Sequence, residues 1–426
     1  MSAQIEPLAW SLQSNIYEVN LRQYTNEGTF TGFAKALPRL KDMGAEILWF
    51  MPITPISVKK RLGSLGSYYA CSDYTATNPE FGTVADFKEL VRKAHELGLK
   101  VIIDWVANHT GWDHRWTKEH PEYYRKNADG NFFDANGWED VIDLNYYNHA
   151  LRKAMIESMR FWIDTCDIDG FRCDMAMLVP LDFWREARME LETQKKLFWF
   201  AECELPMYGE VFDASYTWKF LHAMEAYYRN EVNLASLLSI LQEYEQNFAP
   251  GFIRVFFTTN HDENSHSGSE LERLGDSAKA FSVLCCTWNG MPLIYTGQEI
   301  PVTRRLKFFE KDAIDWNVAR TLESFFKTLL ALRRRNKALS AGEGAKNTVK
   351  LKTNSDENLL AFIRKKDEAM VLVILNLSAS KVTAKLQAAE LKGNYLNVFS
   401  GGSVAISDGE YSEDLAAWDY RVLERK

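Results

Sequence analysis

The strongest constraint in this 426-residue chain is a repeated alternation from residue 14 to about residue 336, in which short apolar runs are each followed by an amphipathic stretch. Eight runs read as strands: 16–20, 47–51, 101–105, 170–174, 198–203, 213–218, 255–259 and 293–296. Between them, 31–43 carries Phe33, Leu37 and Leu40 at helical spacing and stops at Gly44. Segment 84–97 repeats the plan and stops at Gly98, and 150–165, 181–194, 234–248, 276–289 and 319–335 continue it. After the fifth strand, Pro206 and Gly209 interrupt the helical pattern. Eight strand–helix units in one run predict an α/β fold of the (β/α)8 TIM-barrel type rather than an open doubly wound sheet. No G-x-G-x-x-G turn follows the first strand, which weakens a dinucleotide-binding reading.

One link is too long for a plain barrel. The third and fourth strands are separated by more than 60 residues, including a polar, aromatic stretch over 111–140. A loop of that length is uncommon unless functional, and this one leaves a strand at the end where barrel enzymes place their active sites. From about residue 340 the pattern changes to period-two segments at 348–352, 359–364, 371–377, 381–386 and 420–423, which predict a small antiparallel β-sandwich. The expected domains are therefore a catalytic barrel at 1–108 and 146–338, an insertion at 109–145 and a C-terminal β-domain at 339–426.

Composition narrows the function. With 50 Lys+Arg against 58 Asp+Glu, the net charge of −8 gives no general reason to bind nucleic acid or an anionic membrane. The richest apolar run, 369–377, is too short to span a bilayer. The first basic residue is Arg22 and no apolar leader core precedes it, while none of the six cysteines forms a C-x-x-C pair. A cytoplasmic, reducing setting is the expectation; oligomeric state is left open. Aromatics reach 13%, a content that suits core packing and also flat, hydroxyl-rich ligands.

Polar residues at the C-terminal ends of barrel strands share one mouth although far apart in sequence. The third strand leads to Asp104, Asn108 and His109, and the fourth ends in Arg172 and Asp174. The fifth ends in Glu202 and Glu204, and the seventh in His261 and Asp262. A barrel metal hydrolase would want a His pair near the first strand, where Tyr17-Glu18-Val19-Asn20 offers none, and no H-E-x-x-H occurs. Glycoside cleavage needs one ionised carboxylate and one protonated carboxyl. Arg172, two residues before Asp174, is expected to hold that carboxylate ionised, and the apolar run before Glu202 is expected to raise its pKa. Alternation gives Glu204 the same facing as Glu202, so periodicity does not choose between them.

In their order along the chain, these segments resemble the signature regions of the alpha-amylase family, glycoside hydrolase family 13. The matches are Asp104-x-Val106-x-Asn108-His109, Gly170-Phe171-Arg172-x-Asp174, Phe200-Ala201-Glu202 and Asn260-His261-Asp262. Tyr69 in Tyr-x-x-x-Asp73-Tyr74, Asn78-Pro79-x-Phe81-Gly82-Thr83, Asp143-Leu144-Asn145 and Pro292-Leu293-Ile294-Tyr295-x-Gly297-Gln298-Glu299 extend the likeness over residues 16–299. The resemblance implies a retaining hydrolase of α-glucosidic, typically α-1,4, bonds in starch-derived glucans or maltooligosaccharides. It makes Asp174 the nucleophile, Glu202 the general acid/base and Asp262 the transition-state stabiliser. Tyr69, His109, Arg172 and His261 would contact the sugar, Asp104 would support them, no cofactor would be required, and Asn108 is a calcium ligand in some members. Family members that cleave starch often carry a Lys-His pair three and four residues after the nucleophile, where this chain has Met177 and Leu178. An α-glucanotransferase is therefore the alternative, and a non-catalytic carbohydrate-binding relative is disfavoured because all three carboxylates are present. Trp112, Trp116 and Trp138 of the insertion are read either as sugar platforms or as packing.

Overall fold

The computed structural model describes residues 6–300 and 302–426. Eight parallel strands close into a barrel: β1 (Ile16–Val19), β2 (Ile47–Phe50), β3 (Lys100–Trp105), β4 (Gly170–Cys173), β5 (Phe198–Ala201), β6 (Ala214–Tyr216), β7 (Ile253–Phe256) and β8 (Met291–Tyr295). Each pairs with its sequence neighbours, and β8 returns to β1 in the register Ile16↔Leu293. All eight are buried throughout apart from Lys100 at the start of β3, which is why they read as continuous apolar runs rather than alternating ones. Gly170 is required where β4 meets β5, since a Cβ there would stand 2.0 Å from the Phe198 carbonyl oxygen.

Local signals place the helices around this barrel. The helix Val84–Glu96 opens on a capping box in which Thr83 and Asp86 satisfy each other's backbone N–H groups. The 31–43 reading resolves into two helices, Phe30–Ala34 and Leu37–Met43, because Pro38 suits the first turn of a new helix and not the interior of an old one. The second ends at Gly44 in the left-handed conformation, φ 105°. After β5 only a 3-10 turn, Pro206–Glu210, forms where Pro206 and Gly209 broke the pattern. The helix Trp218–Tyr228 was not foreseen. Its start was absorbed into the sixth strand, and aromatic residues on several of its faces blur a 3.6-residue period.

Residues that follow β3 form a small excursion based on two short antiparallel strands, His109–Gly111 and Val141–Asp143, with His109 opposite Asp143. This hairpin returns the chain to the barrel beside the third strand's end, so the insertion overhangs the mouth. The C-terminal region holds β9 (Thr348–Leu351), β10 (Leu359–Lys366), β11 (Ala369–Asn376), β12 (Val382–Gln387), β13 (Gly393–Asn397), β14 (Ser403–Ile406), β15 (Glu410–Leu415) and β16 (Tyr420–Arg425). Six form one sheet in the order β9-β10-β11-β16-β13-β14, and β12 pairs with β15. Leu359, Ala361 and Ile363 face the β12–β15 ribbon, while Leu360 and Phe362 join the barrel's core, with Phe362 4.8 Å from Trp288. Strands β10 and β11 are thus covered on both faces, so the period-two reading fails for them. Among the described residues no helix is long and apolar enough to cross a membrane. Residues 1–5, part of the stretch on which the leader reading rests, lie outside the described residues.

Candidate active site

The ladder register lines up the strand ends. Asp104 lies opposite Arg172 and Arg172 opposite Phe200. The ladder continues past the strands through Asp174 N–H to the Trp105 carbonyl (3.1 Å) and Glu202 N–H to the Cys173 carbonyl (3.0 Å). That continuation carries Asp104, Arg172, Asp174 and Glu202 to one place.

Arg172 organises them. Its guanidinium is fully buried between the rings of Trp49 (4.9 Å) and Tyr216 (5.6 Å). Nη1 donates to Asp104 Oδ1 and to Asp174 Oδ1, both at 2.9 Å, and Nη2 forms an ion pair with Glu202 Oε2 at 2.9 Å. A fixed buried cation favours the ionised form of each carboxyl it faces. Burial nevertheless outweighs Arg172 at Asp174 and pushes that carboxyl up to about 6, with the arginine pulling it down. Burial pushes Glu202 further, to about 7, against Arg172 and with help from the charges of Asp174 and Asp262. Asp104 is pushed up to about 6 for the same first reason.

Backbone strain aims one donor. Met175, just after Asp174, adopts φ 39° and ψ 45°, a left-handed conformation that costs a non-glycine residue roughly 1–2 kcal/mol. In that conformation its N–H donates to Glu202 Oε2 at 2.9 Å. Glu204 goes elsewhere: the strand ends at Ala201, alternation lapses, and the Glu204 carboxylate accepts from the Tyr244 hydroxyl (2.6 Å) and Lys219 N–H (3.0 Å). Glu202 is therefore the fifth strand's contribution. Cys173 points away from the mouth as a buried thiol whose pKa burial raises.

The remaining predicted residues converge on the same mouth. The Tyr69 hydroxyl donates to Asp104 Oδ2 (3.1 Å) and lies 2.7 Å from His261 Nε2, with the two rings stacked. Asn108 donates its amide to His109 Nδ1 (3.2 Å), which leaves the His109 proton on Nε2. Burial lowers the His109 pKa to about 4, so that ring is a neutral donor. His261 Nε2 lies 3.2 Å from Asp262 Oδ2, and the Asp262 side chain is 38% exposed. A cavity of about 270 Å³ opens here, lined by Tyr69, His109, Trp138, Asp174, Glu202 and Asp262 among others. A larger one, about 380 Å³, lies behind the His261–Asp262 segment beside Glu270 and Gln298 and touches none of the three acids.

The insertion's tryptophans divide. Trp138 lines the cavity 5.3 Å from His109, whereas Trp116 is buried among Tyr74, His114 and Tyr123. Trp112 lies outside the cavity lining, under the Lys60 ammonium at 3.5 Å. Several residues here escaped the sequence reading, among them Phe308 and Glu18. Phe308, stacked 6.3 Å from Tyr69, follows the last strand in irregular chain and carries no signal. Glu18, a fully buried carboxylate within the apolar run of β1, was visible as an anomaly. Among the described residues no three His, Cys, Asp or Glu side chains converge on a metal position, and Asn108, whose amide nitrogen donates to His109, has its Oδ1 as the atom to offer a calcium ion.

Comparison with known proteins agrees with this geometry. The profile described as alpha amylase, catalytic domain, matches residues 12–140 and 124–340, and that of the maltogenic amylase C-terminal domain matches 350–422. Alpha-amylase MalA of Haloarcula japonica is 24% identical over 94% of this chain, which spans 61% of that protein. The maltogenic alpha-amylase of Bacillus acidopullulyticus is 26% identical over 93% of this chain and 70% of its own length. The crystal structure of the noncanonic maltogenic alpha-amylase AmyB from Thermotoga neapolitana superposes with a TM-score of 0.90 at 29% identity, covering 98% of this chain and 99% of that one. With its catalytic-domain match spanning the whole barrel and its acids gathered at one mouth, the chain belongs to the alpha-amylase family, glycoside hydrolase family 13.

Proposed function

We propose that the protein is a retaining glycoside hydrolase that cleaves α-glucosidic bonds in maltooligosaccharides or starch-derived glucans. The observation that carries this reading is Arg172 bridging Asp104, Asp174 and Glu202, with burial raising the Asp174 and Glu202 carboxyls that face each other across it. A retaining mechanism uses one carboxylate and one carboxylic acid, and here Asp174 serves as the first and Glu202 as the second. Arg172 grips Asp174 Oδ1, so attack on the anomeric carbon falls to Oδ2. Glu202 gives its proton to the departing glycosidic oxygen, and a glycosyl ester forms on Asp174. Glu202, now a carboxylate, takes a proton from water, whose oxygen displaces Asp174. Asp262 and the neutral His109 ring serve the sugar's hydroxyls and its developing positive charge, with Tyr69 and Trp138 along its faces. The six cysteines, all buried and unpaired, support a cytoplasmic setting.

Transfer to a second sugar is the other reading, and one observation favours it. Met177, Leu178, Leu205 and Met207 are 37–57% exposed on the two loops after β4 and β5, which touch through Ala176 N–H and the Glu202 carbonyl. An apolar rim beside the acid/base discourages water and suits the C–H face of an acceptor sugar. Digestion of maltoheptaose with product analysis decides between them. Shorter products alone establish hydrolysis, products longer than the substrate establish transfer, and no conversion of any α-glucan overturns both.

A further inference from the structure

Glu18 has no place in the scheme above, yet it lies fully buried on β1 beneath the mouth. Its Oε1 lies 2.5 Å from His261 Nδ1 and accepts from the His261 backbone N–H at 3.3 Å, while among the described residues Oε2 is buried without a partner. Among the described residues every hydrogen bond of this carboxyl group is thus with His261. Beyond His261 the contacts continue: Nε2 to the Tyr69 hydroxyl at 2.7 Å, that hydroxyl to Asp104 Oδ2 at 3.1 Å, and Arg172 to Asp104 and Asp174.

The proton count along this chain is restrictive. A tyrosine hydroxyl has one proton. If Tyr69 donates to Asp104, His261 must bring its own proton on Nε2, and with Glu18 ionised its Nδ1 donates to that carboxylate, so the ring carries both protons. If His261 is neutral, Tyr69 turns its proton to Nε2 and Asp104 Oδ2 loses a donor. We infer that Glu18 is a positioning residue that holds His261 as an imidazolium and so sets the direction of a hydrogen-bond chain from β1 through Tyr69 and Asp104 to Arg172 and the nucleophile. The charged surroundings agree. Glu18 from β1, Asp104 from β3 and Asp262 beside the ring are acidic, Arg172 from β4 opposes them, and Tyr69, Trp49 and Phe308 supply uncharged faces. Although burial works against it, the acids raise the His261 pKa to about 9.

Glu18→Gln keeps the shape and removes the charge, and two readouts follow it. By 15N NMR of histidine-labelled protein, wild-type His261 carries protons on both nitrogens at pH 8. In Glu18→Gln it becomes neutral there, a downward shift of about one to two pH units for loss of a buried opposite charge. This arm reads the ring whether or not any glycoside is cleaved, so its failure is distinct from failure of the proposed function on which the kinetic arm rests. In the kinetic arm, the alkaline limb of kcat/KM steepens to a slope of −2 at least one unit lower in Glu18→Gln than in wild type. Glu18→Asp retains a carboxylate at longer range and gives an intermediate shift, which keeps the test available if the glutamine variant does not fold. An unchanged His261 titration in either folded variant, or an equal loss of activity at every pH, overturns the inference.

Discussion

Two sets of buried arginines show how partners, not burial, decide what a charge is for. Arg172 at the barrel mouth and Arg364 and Arg333 at the junction with the C-terminal sheet are all fully buried. Arg172 faces carboxylates, which raise its pKa over the opposing effect of burial. Among the described residues Arg364 donates to the carbonyls of Thr287 (3.0 Å) and Ser340 (2.8 Å), and Arg333 to those of Ser14 (2.8 Å) and Leu12 (3.1 Å). Burial pulls both below the ordinary value, at Arg364 with the Arg333 charge adding to it and the more distant Glu245 and Glu343 opposing it, although a guanidinium keeps its proton. The mouth holds charge against charge so that a proton can move. The junction uses the same fork as a clamp on backbone, tying barrel helix, linker and β10 together.

The sharpest way to break the comparison is to neutralise the acids at the mouth. Asp174→Asn and Glu202→Gln are each expected to lower kcat on maltooligosaccharides by about four orders of magnitude or more, with the double variant little worse than either. Wild-type kcat/KM should be bell-shaped with its maximum between the two values cited above, about 6 and about 7: activity rises as Asp174 ionises and falls as Glu202 loses its proton. A maximum above pH 9 in a stopped-assay profile would contradict that assignment. Arg172→Lys keeps the charge but not the fork, and a loss of about a hundredfold in kcat is expected with the fold retained by circular dichroism. Trp138→Ala removes one sugar-facing ring; KM for maltoheptaose should rise about tenfold, equivalent to about 1.4 kcal/mol, with kcat little changed. Arg364→Met is the control from the other region. It strands two carbonyls and is expected to cost about 2 kcal/mol of unfolding free energy in urea titrations while leaving kcat per folded enzyme unchanged.

Much of this was legible beforehand. Gly44 and Gly98 marked helix ends, the apolar runs located the eight strands, and charged residues closing four of them pointed to a shared site. The failures share a cause. Glu204 was given the facing of Glu202 because alternation was extended past a strand that ends at Ala201. Strands β10 and β11 lost their period of two because a ribbon covers one face and the barrel the other. Phe308 had no signal because an irregular segment brings it across from beyond β8.

The sequence by itself determined the barrel, from local period, and the family, from the likeness of its ordered strand-end motifs, and that likeness proposed the acids. Only the tertiary structure decided how those acids meet on Arg172, where each tryptophan of the insertion packs and what partners Glu18. Those depend on desolvation and on distances between residues hundreds of positions apart, such as His261 and Glu18 at 2.5 Å, which no local pattern encodes.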